Sequence, residues 1–119
     1  FQFQIYFQRY NNILLLISRL IIWQYLSLIV HIYRAFNTLG WENFADALFD
    51  GIPADLFYCG SNSEARTTVE QLISDIGLRP VSLGDTAQVD LVDAFLRVWF
   101  ALAVGQCKGR HLAFKVLTR

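Results

Sequence analysis

Hydrophobic and polar positions follow two regimes along this chain. Residues 1–33 hold 22 apolar side chains, with no acidic residue, no glycine and no proline, and Arg9 and Arg19 are their charged side chains. Inside them, residues 13–33 (ILLLISRLIIWQYLSLIVHIY) make a run of 21, long enough as a helix to cross a bilayer. Arg19, Gln24, Ser27 and His31 interrupt the run, and a central Arg costs about 2.5–3.5 kcal/mol on insertion scales. Gln24, Ser27 and His31 share a helical face that Ser18 and Arg19 leave, so a surface-lying amphipathic helix is weakly supported. Three readings stand for this segment: a membrane span, a buried hydrophobic helix, or sequence foreign to the domain. The chain divides accordingly into an atypical hydrophobic segment, 1–28, and a globular portion, 29–119.

The globular portion alternates short apolar runs with one amphipathic and one apolar periodic stretch. Residues 29–36 (IVHIYRAF) read as a buried strand feeding a loop at Asn37-Thr38. Residues 39–53 are irregular, with Trp41, Phe44 and Phe49 as packing anchors, and residues 54–60 (ADLFYCG) form a second strand closed by glycine. Ser61 and Glu64 have the spacing of a capping box ahead of a helix. Ala65, Val69, Leu72, Ile73 and Ile76 recur on its inner face, and Gly77 sits where a C-cap glycine belongs. Residues 78–84 predict a short strand, with Pro80 placing it at a sheet edge. A long helix follows over 87–104, where Asp90, Asp93 and Arg97 make a narrow polar stripe and Asp93 is spaced to pair with Arg97. A helix apolar on so many sides requires a second layer, most economically another subunit. Residues 110–117 predict a last, mildly basic helical segment.

Composition excludes more than it selects. The chain is 55% hydrophobic with ten basic and ten acidic residues, which rules out a disordered tail and argues against a nucleic-acid partner. Cys59 and Cys107 lack metal or redox spacing and read as small apolar residues of a reducing compartment, so the expected location is intracellular and soluble. His31 and His111 belong to no cluster with ligand spacing, so no metal is expected. Asp46, Asp50 and Asp55 fall in loop sequence and read as solvated or capping carboxylates, and no catalytic set emerges. The first glycine is Gly40, so no glycine-rich phosphate-binding turn stands ahead of the strand–helix units.

Several ordered blocks carry a resemblance. R-A-F-N-T-L-G-W-E-N-F-A-D at 34–46, A-D-L-F-Y-C-G at 54–60, V-E-Q-L-I-S-D-I-G-L-R-P-V-S-L-G at 69–84 and G-x-x-x-A-F-K-x-L at 109–117 resemble the later portion of the coenzyme F420-dependent NADP oxidoreductases. The similarity runs from about residue 29 to 119. It implies an α/β fold, a partial Rossmann-type unit of late strands and helix ending in the long apolar helix. It also implies NADP(H) as cofactor, hydride transfer to a flavin-like or F420-like acceptor, and Asn37 and Thr38 as the cofactor-binding residues beside the nicotinamide. Family members pair through their C-terminal helices, which implies a homo-oligomer or a paralogous partner. The family's N-terminal half carries the glycine-rich loop, and residues 1–30 show none of its motifs. The expectation is therefore a truncated oxidoreductase, inactive alone; the alternatives are a non-enzymatic dimerisation module or a small membrane-anchored protein.

Overall fold

A computed structural model of the chain describes residues 2–3 and 31–119. Strands β1 (Gln2–Phe3), β2 (Ile32–Arg34), β5 (Asp55–Gly60) and β6 (Arg79–Ser82) form one sheet in the order β1-β2-β5-β6. β1 runs parallel to β2, β2 antiparallel to β5, and β5 parallel to β6. A short helix α1 (Glu42–Ala45) and a two-stranded hairpin, β3 (Leu48–Phe49) with β4 (Ile52–Pro53), occupy the stretch between β2 and β5. Helix α2 (Ala65–Asp75) connects β5 to β6, and α3 (Val89–Phe100) follows a single 3-10 turn at Thr86–Gln88.

β5 is the centre of the molecule because nearly every residue in it is apolar, and a strand buried on both faces reads that way. All six of its residues are buried. Leu56 and Tyr58 point to one face and pack with Tyr33 of β2 and with Val69 and Ile73 of α2. Cys59 points to the other and packs with Ile32, Val89 and Val92, while the ring of Phe57 stacks on Phe95 of α3 at 4.1 Å. The sheet is thus sandwiched between α2 and α3. Trp99, near the end of α3, and Ala103, in the turn that follows it, reach the larger of the two clusters with Leu39, Ala54 and Leu78.

The long apolar helix packs one side on the sheet within the chain. It leaves Leu91, Val98, Phe100 and Val104 about half exposed on its flanks. After Phe100 the helix widens into an i to i+5 turn over Ala101–Gly105. Asp93 faces inward to Arg34 of β2, where the sequence spacing pointed to Arg97.

Helix α2 begins later than the capping-box spacing predicts. Ser61 is occupied elsewhere: its N–H donates to Ile32 O at 2.9 Å and its hydroxyl accepts from Ile32 N at 3.1 Å. It ends the β2–β5 pairing, and no side chain caps α2. The C-terminal reading holds. Gly77, at φ +87°, donates to Ser74 O, and Leu78 N donates to Ile73 O, the paired bonds of a Schellman closure. Pro80 lies in β6, whose pairing within the sheet is with β5, in keeping with an edge.

Four further expectations are corrected. Residues 39–53 are a helix and hairpin, and although Phe44 and Phe49 pack on the core, Trp41 is 70% exposed. Asp55 is the fully buried first residue of β5, not a solvated loop carboxylate. Cys59 is buried as expected, but Cys107 is exposed. Residues 110–117 form no helix and run extended, with Phe114 bridged antiparallel to Asp55.

Residues 4–30 lie outside the described residues, and with them most of the run at 13–33 and the boundary at 28. The last residues of that run, Ile32 and Tyr33, are strand. Among the described residues no helix is long and apolar enough to cross a membrane.

Candidate functional site

Loop 35–40 leaves β2 toward the end of the sheet where β5 begins, because β2 runs antiparallel to β5 and meets that strand at its last two residues, Cys59 and Gly60. Phe36 turns the chain with a left-handed backbone, φ +63°, a conformation that costs a side-chain-bearing residue about 1 kcal/mol. Its ring meets Phe44 edge-on at 6.0 Å. Arg34, buried at the base of the loop, donates Nε to Asp93 Oδ1 at 2.9 Å, and Asn37 Nδ2 donates to the same oxygen at 3.2 Å. Asp93 thus fixes both β2 and Asn37 of the loop from α3.

Asn37 is half-buried and Thr38 fully buried. Among the described residues, Asn37 Oδ1 and Thr38 Oγ1 have no hydrogen-bond partner, and neither does Oδ1 of Asn43, a few residues on in α1. An unsatisfied buried polar atom costs about 1–3 kcal/mol, so three within seven residues mark a segment whose chemistry is incomplete as it stands. The other side of Asn43 is fully used: Nδ2 donates to Gly40 O at 3.2 Å and to Arg110 O at 3.1 Å. Gly40 itself is pressed on Trp99, and a Cβ there would lie 2.8 Å from the indole ring.

Beside this loop the extended C-terminal tail crosses the same end of the domain. Asp55 is the strongest electrostatic feature there. Its carboxylate accepts two bonds from Arg79, each at 2.6 Å, and one from Val116 N at 2.7 Å, and it lies 3.3 Å from Lys115 Nζ. Burial pushes the carboxyl pKa up, but Arg79, the Val116 amide and Lys115 together outweigh it and hold Asp55 below the usual carboxylate range.

At the opposite end of the sheet, beyond Gly60 and Ser82, lies an open cleft of about 280 Å³ lined by Tyr33, Tyr58, Ser61, Asn62, Arg66 and Asp85, among others. Clefts outside the carboxyl ends of parallel strands are the usual ligand position in open α/β sheets. Here the polar groups answer one another. Tyr58 donates its hydroxyl to Glu70, and Arg66 Nε donates to both Tyr58 Oη (3.0 Å) and Glu70 Oε1 (3.2 Å). Tyr33 donates its hydroxyl to Ser61 O at 2.7 Å, and Asp85 accepts from Ala87 N at 2.9 Å. Burial, reinforced by the bond to Glu70, pushes the Tyr58 hydroxyl up to about 12.

The two sequence-predicted residues, Asn37 and Thr38, therefore stand together, away from the cleft. Sequence reading missed Asn43, a lone Asn amid aromatics, and placed Asp93 on the helix's polar stripe with Arg97 instead of beside Arg34 and Asn37. No group of three or more His, Cys, Asp or Glu able to hold a metal occurs among the described residues.

No family model matches the chain. No curated protein matches it either. Among solved structures it is similar to a protein from Arthrobacter sp. FB24 described as a "putative f420 dependent nadp-reductase", with 19% identity and a TM-score of 0.67. The likeness covers 82% of this chain and 46% of that one. By fold, then, the chain is a mixed α/β, Rossmann-like unit that spans less than half the length of that protein.

Proposed function

We propose that this chain is the later portion of an NADP(H)-dependent oxidoreductase of the coenzyme F420-dependent family, passing hydride between NADPH and a flavin-like or F420-like acceptor. The observation that carries the reading is the pair of unpaired polar atoms on Asn37 and Thr38, in a fold shared with a protein described as an NADP reductase. Asn37 Oδ1 is an acceptor and the Thr38 hydroxyl can donate, the complement of a carboxamide such as the nicotinamide ring carries. When bound, NADP(H) supplies the hydride. The protein's contribution is to position two rings and exclude water, which needs no acid–base residue. Asp93 holds Asn37 by its amide nitrogen, leaving the oxygen for the ligand. Pairing through the exposed flanks of α3, at Leu91 and Val98, fits the same reading.

The glycine-poor start of the sequence supplies no pyrophosphate cradle, so the 119 residues by themselves are expected to bind NADPH no tighter than about 1 mM. Fluorescence titration checks this, and saturable micromolar binding would overturn the partial-site reading. Joined to a glycine-rich NADP-binding half, the chain is expected to support NADPH oxidation with F420 or a flavin as acceptor. There Asn37→Ala should lower kcat/KM about 10- to 100-fold, the scale on which misplaced rings slow a transfer. An Asn37→Ala enzyme with unchanged kcat/KM would remove the loop from the site.

A further inference from the structure

The tail at 110–116 shows a regularity that neither the fold nor the proposed reaction requires. Every second carbonyl is taken by a different part of the body. Arg110 O accepts from Asn43 of α1 (3.1 Å), Leu112 O from Trp99 of α3 (2.8 Å), Phe114 O from Asp55 N of β5 (2.9 Å) and Val116 O from Arg79 of β6 (2.8 Å). A strand offers backbone groups on one edge with this period of two. The tail is thus an extended band lashed across the end of the domain that carries loop 36–43.

Its near end grips that loop's exit. Arg110 forms a two-bonded ion pair with Glu42 of α1, and its guanidinium lies over the Trp99 ring, 5.4 Å from the centroid. Asn43 ties Arg110 O and Gly40 O with one amide nitrogen, joining band and loop through a single group. The far end is locked by Lys115, which donates to Pro53 O at 2.7 Å, and by the Asp55 contacts of Lys115 and Val116. Just ahead of the band, Cys107 and Gly109 take φ +53° and +86°, and residues 104–111 are exposed, as a hinge between helix and band would be.

We infer that residues 110–116 are a strap whose tension at its Asp55 end sets the position of the Asn37–Thr38 loop, with Arg110 and Lys115 as positioning residues. The inference deepens the reading of that loop as facing a cofactor, and it is tested without one, so the two can fail separately. Hydrogen exchange on the full chain is the measurement, following the amides of Asn43 and Phe44, which donate to Gly40 O and Trp41 O, against Val69 and Ile73 in α2. Both substitutions fall on partly exposed side chains, and the α2 amides report directly on whether the fold is kept.

Arg110→Ala should speed Asn43 and Phe44 about tenfold, and Lys115→Ala about threefold, with α2 unchanged, as expected of opening confined to one unit. The second result is the sharper one: Lys115 has its contacts at Pro53 and Asp55, and the alternative route to α1, through the bond from Ala54 N to Ala47 O, is checked by the Ala54 amide, which should keep its rate if the strap carries the effect. Lys115→Ala that frees the Val116 amide but leaves Asn43 at its original rate would overturn the inference. So would equal acceleration of the loop and α2.

Discussion

The two ends of the sheet differ in a way that space alone misrepresents. The end beyond Gly60 and Ser82 is open and polar, yet Tyr58, Glu70, Arg66, Tyr33 and Asp85 all have partners within the chain. The other end is crossed by the strap, and it has three buried polar atoms with no hydrogen-bond partner among the described residues. Cavity shape points to the first, unmet hydrogen-bonding capacity to the second. A ligand is recognised through groups the protein has not already satisfied, so the crowded end is the better claim to function.

The largest effect should come from breaking the lock at the crowded end. Asp55→Asn keeps the shape and removes the charge that Arg79, Lys115 and the Val116 amide converge on. Breaking a fully buried pair costs about 3–5 kcal/mol, and because Arg79 is 44% exposed about 2–3 kcal/mol is expected here. Glu70→Gln, in the exposed network at the cleft, should cost under about 1 kcal/mol. Urea midpoints of the two variants measure the contrast directly, and equal losses would erase it.

The ends should also fail at opposite extremes of pH. Asp55 has a lowered pKa, so its stabilisation is full above the unfolded value of about 3.9 and is lost as pH falls through the folded one. Tyr58 has a raised pKa, so its stabilisation is full below about 10 and is lost as pH rises toward about 12. Cys59, whose thiol burial and then the nearby Asp93 push up to about 12, adds to the alkaline loss. Thermal midpoints across pH should therefore fall at both limits. Tyr58→Phe should flatten the alkaline side and change the acid side slightly, because the same hydroxyl bond is what chiefly lowers the Glu70 carboxyl; if it left the alkaline slope intact, the cleft network would have no part in it.

How much of this could be read from the sequence depends on what kind of information each element carries. β5, α2, β6 and α3 were legible because their signals are local: an unbroken apolar run, a 3.6-residue period, a C-cap glycine, a strand-edge proline. The tail was not, because its extended form depends on partners 13 to 67 positions away, such as Trp99 and Asn43, and residues 110–117 have only weak preferences of their own. Ser61 misled for the same reason, since the capping-box spacing is real but its hydroxyl is claimed by Ile32, 29 residues earlier. Asn37 and Thr38 came from resemblance alone. Their neighbours Asn43 and Asp93 act through tertiary hydrogen bonds that no spacing records.

The smallest expected effect separates the two ends most cleanly, because its sign is the unusual one. A threonine hydroxyl buried with a partner loses about 1 kcal/mol when replaced by valine, as most core changes do. Thr38 is fully buried with its hydroxyl unpaired, so Thr38→Val removes an unmet desolvation cost at nearly constant volume. Stability should rise by about 0.5–1 kcal/mol, read as a higher urea midpoint at unchanged slope. Joined to an NADP-binding half, the same substitution should weaken NADPH binding, since the ligand would lose the hydrogen bond that the hydroxyl supplies. A gain in stability together with a loss in affinity is the signature of a group kept for a ligand at the expense of the fold. A loss in stability would mean that the chain satisfies Thr38 by itself, and the crowded end would then be as complete as the open one.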